Sequence, residues 1–156
     1  MRMRKIKISL REFETRIQKL KEKMEERKID ALFVYGDEYR KENLRYVSNY
    51  WPIFERGGLL VGKNTDPIVL CAPEGEEVAK EMSVWKDIRL LPDFLCVTVP
   101  DESEYPLAHY SSFRKLAQEL RDKGELKTLG IVGRDEMPVD LFLSIEEAFQ
   151  SETVDC

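Results

Sequence analysis

The residues whose types could do chemistry are few in this 156-residue chain, and their spacing argues mostly against catalysis. A single histidine, His109, stands in an acidic connection with no second His at helical spacing. Neither a histidine-based metal centre nor a Ser-His-Asp triad can be assembled around it. No G-x-S-x-G elbow precedes a helical pattern. Thirty Asp and Glu residues leave an all-carboxylate ion site open, but runs such as Glu74-Gly75-Glu76-Glu77 read as solvated helix starts that complement the helix dipole. Gly130-Ile131-Val132-Gly133 follows an apolar run yet matches neither the dinucleotide fingerprint nor a P-loop, and Gly133 reads as a turn. Cys71, Cys96 and Cys156 lack C-x-x-C spacing, and the first two lie in apolar runs where Cys acts as a small hydrophobe. They point to a reducing, cytoplasmic compartment; a Cys71–Cys96 disulfide stays open, but a chain of this size does not need one. The remaining concentration is aromatic: Tyr50, Trp51 and Phe54, with Arg56 just beyond.

Composition narrows the partners. With 42% hydrophobic and 35% charged residues the chain is of the globular class, and its formal charge of -5 argues against a phosphate-backbone partner. The basic tail Met1–Lys7 reads as a solvated terminus, since so short a cluster attracts little at physiological salt, and it opens no signal peptide because Arg11, Glu12 and Glu14 interrupt the apolar stretch behind it. No apolar stretch approaches membrane-spanning length.

The elements that must position these residues follow from periodicity. Ser9-Leu10-Arg11-Glu12 has the capping-box pattern, and Leu10, Phe13, Ile17, Leu20 and Met24 predict one apolar helix stripe that packs on a sheet. Ile29 to Tyr35 is a continuous apolar run, as a doubly buried strand requires. Glu38 to Val47 predicts a short helix leading into the aromatic cluster. Gly57–Val61 and Ile68–Cys71 flank a short turn and predict an antiparallel hairpin, so the sheet is mixed. Pro73 suits a first helical position ahead of Val78, Ala79 and Met82. Ile88 to Leu91 predicts a strand, and an apolar run at Phe94 to Val99 precedes the acidic connection. Ser111 or Ser112 caps a helix whose Phe113, Leu116, Ala117 and Leu120 are buried, and Gly124 has the place of a left-handed C-terminal residue. Thr128–Val132 is a second buried strand, Pro138 to Phe149 a last helix, and Glu152–Cys156 the start of another strand. An element met at its start is expected of a domain boundary.

Two segments are specific beyond this pattern: Arg16-Ile17-Gln18-Lys19-Leu20 through Met24 to Ile29-Asp30-Ala31-Leu32, and then Asn43-Leu44-Arg45-Tyr46-Val47-Ser48. In their order and spacing the chain resembles the creatinase/prolidase N-terminal domain, which precedes the pita-bread catalytic domain in prolidases, Xaa-Pro aminopeptidases and creatinases. The resemblance implies an α/β fold with a mixed, six-stranded, ribonuclease-H-like sheet flanked by helices over residues 9–156, behind a tail at 1–8. It implies that the metal ligands and catalytic histidine belong to a C-terminal domain absent from this chain. No catalytic residue or cofactor is then expected here, and divalent metal ions are expected there. The implied partners are that catalytic domain and a second copy in a homodimer, with neither nucleic acid nor membrane.

The stretch Tyr50-Trp51-Pro52-Ile53-Phe54-Glu55-Arg56-Gly57-Gly58 looks like the creatinase segment in which a Phe and an Arg two residues later bind the substrate carboxylate in a neighbouring subunit's site. On that likeness Phe54 and Arg56 are the candidates, and Trp51 and Tyr50 extend the wall. A guanidinium grips a carboxylate with two parallel hydrogen bonds, and an aromatic wall keeps water from competing. Against it stands the plainer reading that Arg56 is an exposed residue at a strand start and that Trp51 and Phe54 fill the sheet–helix interface. Glu55 departs from the creatinase pattern; a carboxylate there either disfavours an anionic substrate or faces solvent. The competing function is a stand-alone binding or interaction module that uses the Tyr50 to Arg56 patch. An independent nucleotide enzyme lacks any phosphate motif.

Overall fold

A computed structural model of the chain describes residues 7–95 and 109–156. The expected tail up to residue 6, Cys96 with its disulfide option, and most of the apolar run and acidic connection before His109 lie outside the described residues.

Helix α1 (Leu10–Glu26) starts where Ser9 Oγ accepts the N–H of Glu12 at 3.3 Å. The reciprocal half of the expected box is not made, because the Glu12 carboxylate takes Arg16 at 3.0 Å instead. Phe13, Ile17 and Met24 are buried, whereas Leu10, on the first turn, is half exposed. Strand β1 (Ala31–Asp37) begins two residues later than the apolar run. Asp30, just before it, has its carboxylate occupied by the N–H groups of Lys127 (3.0 Å) and Thr128 (3.1 Å) and by Lys63 Nζ (2.9 Å).

Helix α2 (Glu42–Ser48), the hairpin β2 (Arg56–Gly62) and β3 (Ile68–Cys71), a 3-10 turn at Pro73–Gly75, helix α3 (Glu76–Met82) and β4 (Ile88–Leu90) follow. After the connection come α4 (Phe113–Asp122), capped by Ser112 Oγ on Lys115 N–H at 3.2 Å, then β5 (Thr128–Val132), α5 (Val139–Phe149) and β6 (Glu152–Asp155). Gly124, with φ of +68°, ends α4 in the left-handed conformation expected of it.

The six strands form one mixed sheet in the order β4-β3-β2-β1-β5-β6. The pairs β1–β2 and β2–β3 are antiparallel; β3–β4, β1–β5 and β5–β6 are parallel. Alternation along β1 divides the core. Ala31, Phe33 and Tyr35 join Phe113, Leu116, Leu141, Ile145 and Phe149 of α4 and α5. Leu32 and Val34 join Ile17, Met24, Leu44, Val47 and Ala79 of α1, α2 and α3 on the opposite face. The central strand is thus covered on both sides, which is why its sequence reads as continuously apolar.

Candidate functional site

One end of the sheet gathers loops from three strands. Strands β1 and β5 finish at this end and β2 begins there, so the segments after Asp37, before Arg56 and after Val132 are brought together from distant parts of the sequence. An open pocket of about 250 Å³ lies among them, lined by Tyr35, Asp37, Glu38 and Tyr39 at the end of β1, Phe54, Glu55 and Arg56 at the start of β2, and Glu136 and Pro138 ahead of α5. Open α/β sheets place their ligands at the carboxyl ends of strands for the same topological reason.

Each wall is held by its own local chemistry. The Asp37 carboxylate accepts the Tyr35 hydroxyl at 3.0 Å through one oxygen and the N–H groups of Tyr39 and Arg40 at 2.8 Å each through the other. Burial first, and then the Asp37 charge, push the Tyr35 phenol well above its usual range, so it stays a donor. Arg40 reaches across to Glu136 at 3.8 Å and links the loop after β1 to the loop after β5. Gly133, with φ of +81°, makes the turn out of β5.

Among the sequence-predicted residues, Phe54 and Arg56 share this pocket. Phe54 is 47% exposed, so it does not fill the sheet–helix interface. Arg56 is half-buried, and among the described residues its guanidinium makes no hydrogen bond or ion pair. Tyr50 and Trp51 do not line the pocket. Tyr50 is fully buried and donates its hydroxyl to Glu55 Oε1 at 3.0 Å, so it is no part of an open wall. The room for its ring is left by Gly57, where an added Cβ would stand 3.0 Å from both the Tyr50 ring and Pro52. Trp51 is half-buried beneath the Arg45 guanidinium, 4.3 Å from its ring centre, and packs back on α2. Glu55 neither faces solvent nor repels a ligand with an open carboxylate: it is 2% exposed and hydrogen-bonded inward.

Sequence reasoning missed Tyr35, Asp37, Tyr39 and Glu136. Asp37 had a readable signal, since an Asp after a Gly at a strand end suits a turn that binds its own amides; Tyr35 and Tyr39 come beside Arg56 only through the β1–β2 pairing, and Glu136 through the β1–β5 pairing.

These carboxylates do not suit a divalent ion. Asp37 is committed to Tyr35 and two amides, Glu136 to Arg40, and Glu55 to inward donors. Among the described residues no three His, Cys, Asp or Glu side chains converge as a ligand set. His109 is exposed. Nor is any helix of the described residues long and apolar enough to cross a membrane.

At this end of the sheet the α/β domain offers an aromatic side chain and, among the described residues, a guanidinium without a hydrogen bond or ion pair. The chain belongs to the Creatinase/Prolidase N-terminal domain family, whose model matches residues 16–156. Solved structures share the fold. The Xaa-Pro dipeptidase from Bacillus anthracis aligns over 92% of this chain and 33% of its own, at 18% identity and a TM-score of 0.61. The N-terminal domain of a cytoplasmic peptidase from Mycobacterium tuberculosis aligns over 91% of this chain and 92% of its own, at 19% identity and a TM-score of 0.63. A proline dipeptidase from Streptococcus agalactiae gives 92%, 93%, 11% and 0.64 in the same order. The chain therefore spans about a third of the Bacillus protein and nearly all of the other two. No curated protein matches it at a significant level of sequence similarity.

Proposed function

We propose that this chain is the non-catalytic N-terminal domain of a metal-dependent C–N hydrolase, Xaa-Pro peptides being the substrate class that the names of its structural neighbours suggest. In this reading the chemistry belongs to a C-terminal domain that carries the divalent metal ions. The N-terminal domain forms a homodimer and closes the substrate site of the neighbouring subunit, in the cytoplasm, where thiols such as buried Cys71 stay free.

The observation that carries the reading is Arg56. A half-buried guanidinium with no partner among the described residues, beside a half-exposed Phe54, is what a carboxylate clamp needs before its ligand arrives. Phe54 supplies the apolar wall that limits competition from water.

The experiment is in two parts. The coding sequence after Cys156 is read for roughly two hundred residues with ordered Asp, Asp, His, Glu and Glu ligands. Arg56→Ala in that enzyme is then assayed on substrates with a free and an amidated carboxyl end. Loss confined to the free carboxylate supports the clamp; equal rates sink it. A stop codon after Cys156 favours the interaction module instead. That second reading draws on the exposure of Tyr39 and Phe54 in this pocket, at 79% and 47%, and of Ile53 next to Phe54 in sequence, at 53%.

A further inference from the structure

Glu55 separates Phe54 and Arg56 in sequence, and its carboxylate is turned back on its own segment. Oε2 accepts the N–H groups of Ile53 at 3.2 Å and Phe54 at 3.1 Å, while Oε1 accepts the Tyr50 hydroxyl at 3.0 Å. A buried carboxylate destabilises a fold unless donors surround it, and here three do. The surroundings are shaped to it. A Cβ on Gly75 would stand 2.4 Å from Oε1, so the Pro73–Gly75 turn leaves room for the carboxylate only because it has no side chain there.

Tyr50 is in turn fixed from α2. Its N–H donates to Ser48 Oγ at 3.1 Å, and the Asn49 side chain donates to the Met82 carbonyl at 2.8 Å. The Trp85 indole donates to the Val47 carbonyl at 2.8 Å. The end of α2 is thereby tied to the end of α3, and Glu55 transmits that fixed position to residues 53 and 54.

The side chains that need such help are the outward ones. Ile53 and Phe54 are about half exposed in a bent, irregular stretch, so packing alone does not define where they point. We propose that Glu55 is the positioning residue of the Phe54–Arg56 pair: its buried carboxylate ties the bend at 53–55 to Tyr50 and so sets the aromatic wall beside the guanidinium. The inference rests on the reading of Phe54 and Arg56 as a carboxylate clamp. It turns the residue that departs from the creatinase pattern into the support of that pair.

Two measurements test it. In this chain, hydrogen exchange at the amides of Ile53 and Phe54 is slow and becomes at least tenfold faster in Glu55→Ala, with amides of β1 unchanged; equal exchange in the two proteins overturns the anchor. In the full-length hydrolase, Glu55→Ala and Tyr50→Phe lower kcat/KM on a free-carboxylate substrate, the first by about tenfold or more, as expected of a displaced binding group. Both leave the carboxamide analogue unaffected. Glu55→Gln restores most of the loss, because its amide oxygen serves the two N–H groups and its NH₂ donates to the Tyr50 hydroxyl, which can accept as well as donate. A lower melting temperature with an unchanged carboxylate-to-carboxamide ratio marks Glu55 as structural only and overturns the positioning role. Tyr50→Phe keeps that outcome readable if Glu55→Ala fails to fold. If Arg56→Ala also shows no carboxylate preference, the clamp itself is wrong; if Arg56→Ala shows it and neither Glu55→Ala nor Tyr50→Phe does, only the positioning role falls.

Discussion

Asp37 and Arg56 are register partners at the ends of β1 and β2, yet they do not form an ion pair. The carboxylate is already engaged by the Tyr35 hydroxyl and two loop amides, which leaves the guanidinium to the pocket. Arg56 thus has little to do in the fold itself. Arg56→Ala is expected to change the urea-unfolding free energy of this chain by no more than about 0.5 kcal/mol, as for a partly exposed side chain whose charged end holds no partner in the fold. In the proposed full-length hydrolase, the clamp reading expects the same change to lower kcat/KM on a free-carboxylate substrate by the equivalent of about 2 kcal/mol, the scale of a charged hydrogen bond lost from a dry site. A large stability loss would show that the guanidinium holds the fold together.

Asp30 behaves in the opposite way, because its carboxylate does structural work at the other end of β1. Burial raises its pKa, but Lys63 and the N–H groups of Thr128 and Lys127 outweigh this and hold it below the usual carboxylate range. A group depressed in the folded state stabilises above its unfolded value, about 3.9, and that contribution is lost as pH falls through the folded value. Urea midpoints from pH 6 to pH 2 should fall less steeply for Asp30→Ala than for the parent. At pH 7 the substitution lowers stability by about 1–2 kcal/mol, since two amides lose their acceptor.

At alkaline pH the phenols of Tyr35 and Tyr50 are expected to resist titration. Burial first, then Asp37 for Tyr35 and Glu55 for Tyr50, push both above the usual phenol value near 10. The fold favours their neutral forms, so this stabilisation is complete below the unfolded value and lost as pH rises toward the folded ones. Absorbance of tyrosinate near pH 10.5 should be the same in the native parent, Tyr35→Phe and Tyr50→Phe. Each variant lacks one tyrosinate only after unfolding in denaturant, and a native difference would place that ring in water.

Cys71 is fully buried, and burial together with the charges of Glu76, Glu55 and Glu74 pushes its thiol up to about 12. Cys156 is exposed. A maleimide at pH 7.5 should label Cys156 rapidly and reach Cys71 only at the rate of opening of the core, as read by peptide mass mapping. Rapid labelling of Cys71 in the native chain would contradict the packing around β3.

Much of this fold is legible from local signals. Ser112 and Gly124 bound α4 where the capping rules put them, and the turn between Val61 and Ile68 predicts the β2–β3 hairpin it makes. These features depend on a few neighbouring residues whose preferences agree with the fold. The first strand shows the limit of such signals. Ile29 and Asp30 belong to its apolar run, but the pairing of Asp30 with the amides of Lys127 and Thr128, about a hundred residues away, starts β1 at Ala31.

The candidate site divides along the same line. By itself the sequence determined the α/β class, the helices and strands that carry the aromatic stretch, and, through its resemblance to creatinases, the choice of Phe54 and Arg56; periodicity and motif spacing are properties of the chain. Only the tertiary structure decided that Tyr50 and Glu55 turn inward, that Trp51 stacks under Arg45, and that Asp37 and Glu136 stand around Arg56. Residue type does not say which way a side chain points or what will occupy its hydrogen bonds. Those depend on strand pairing across the sheet and on the space left by residues such as Gly57 and Gly75.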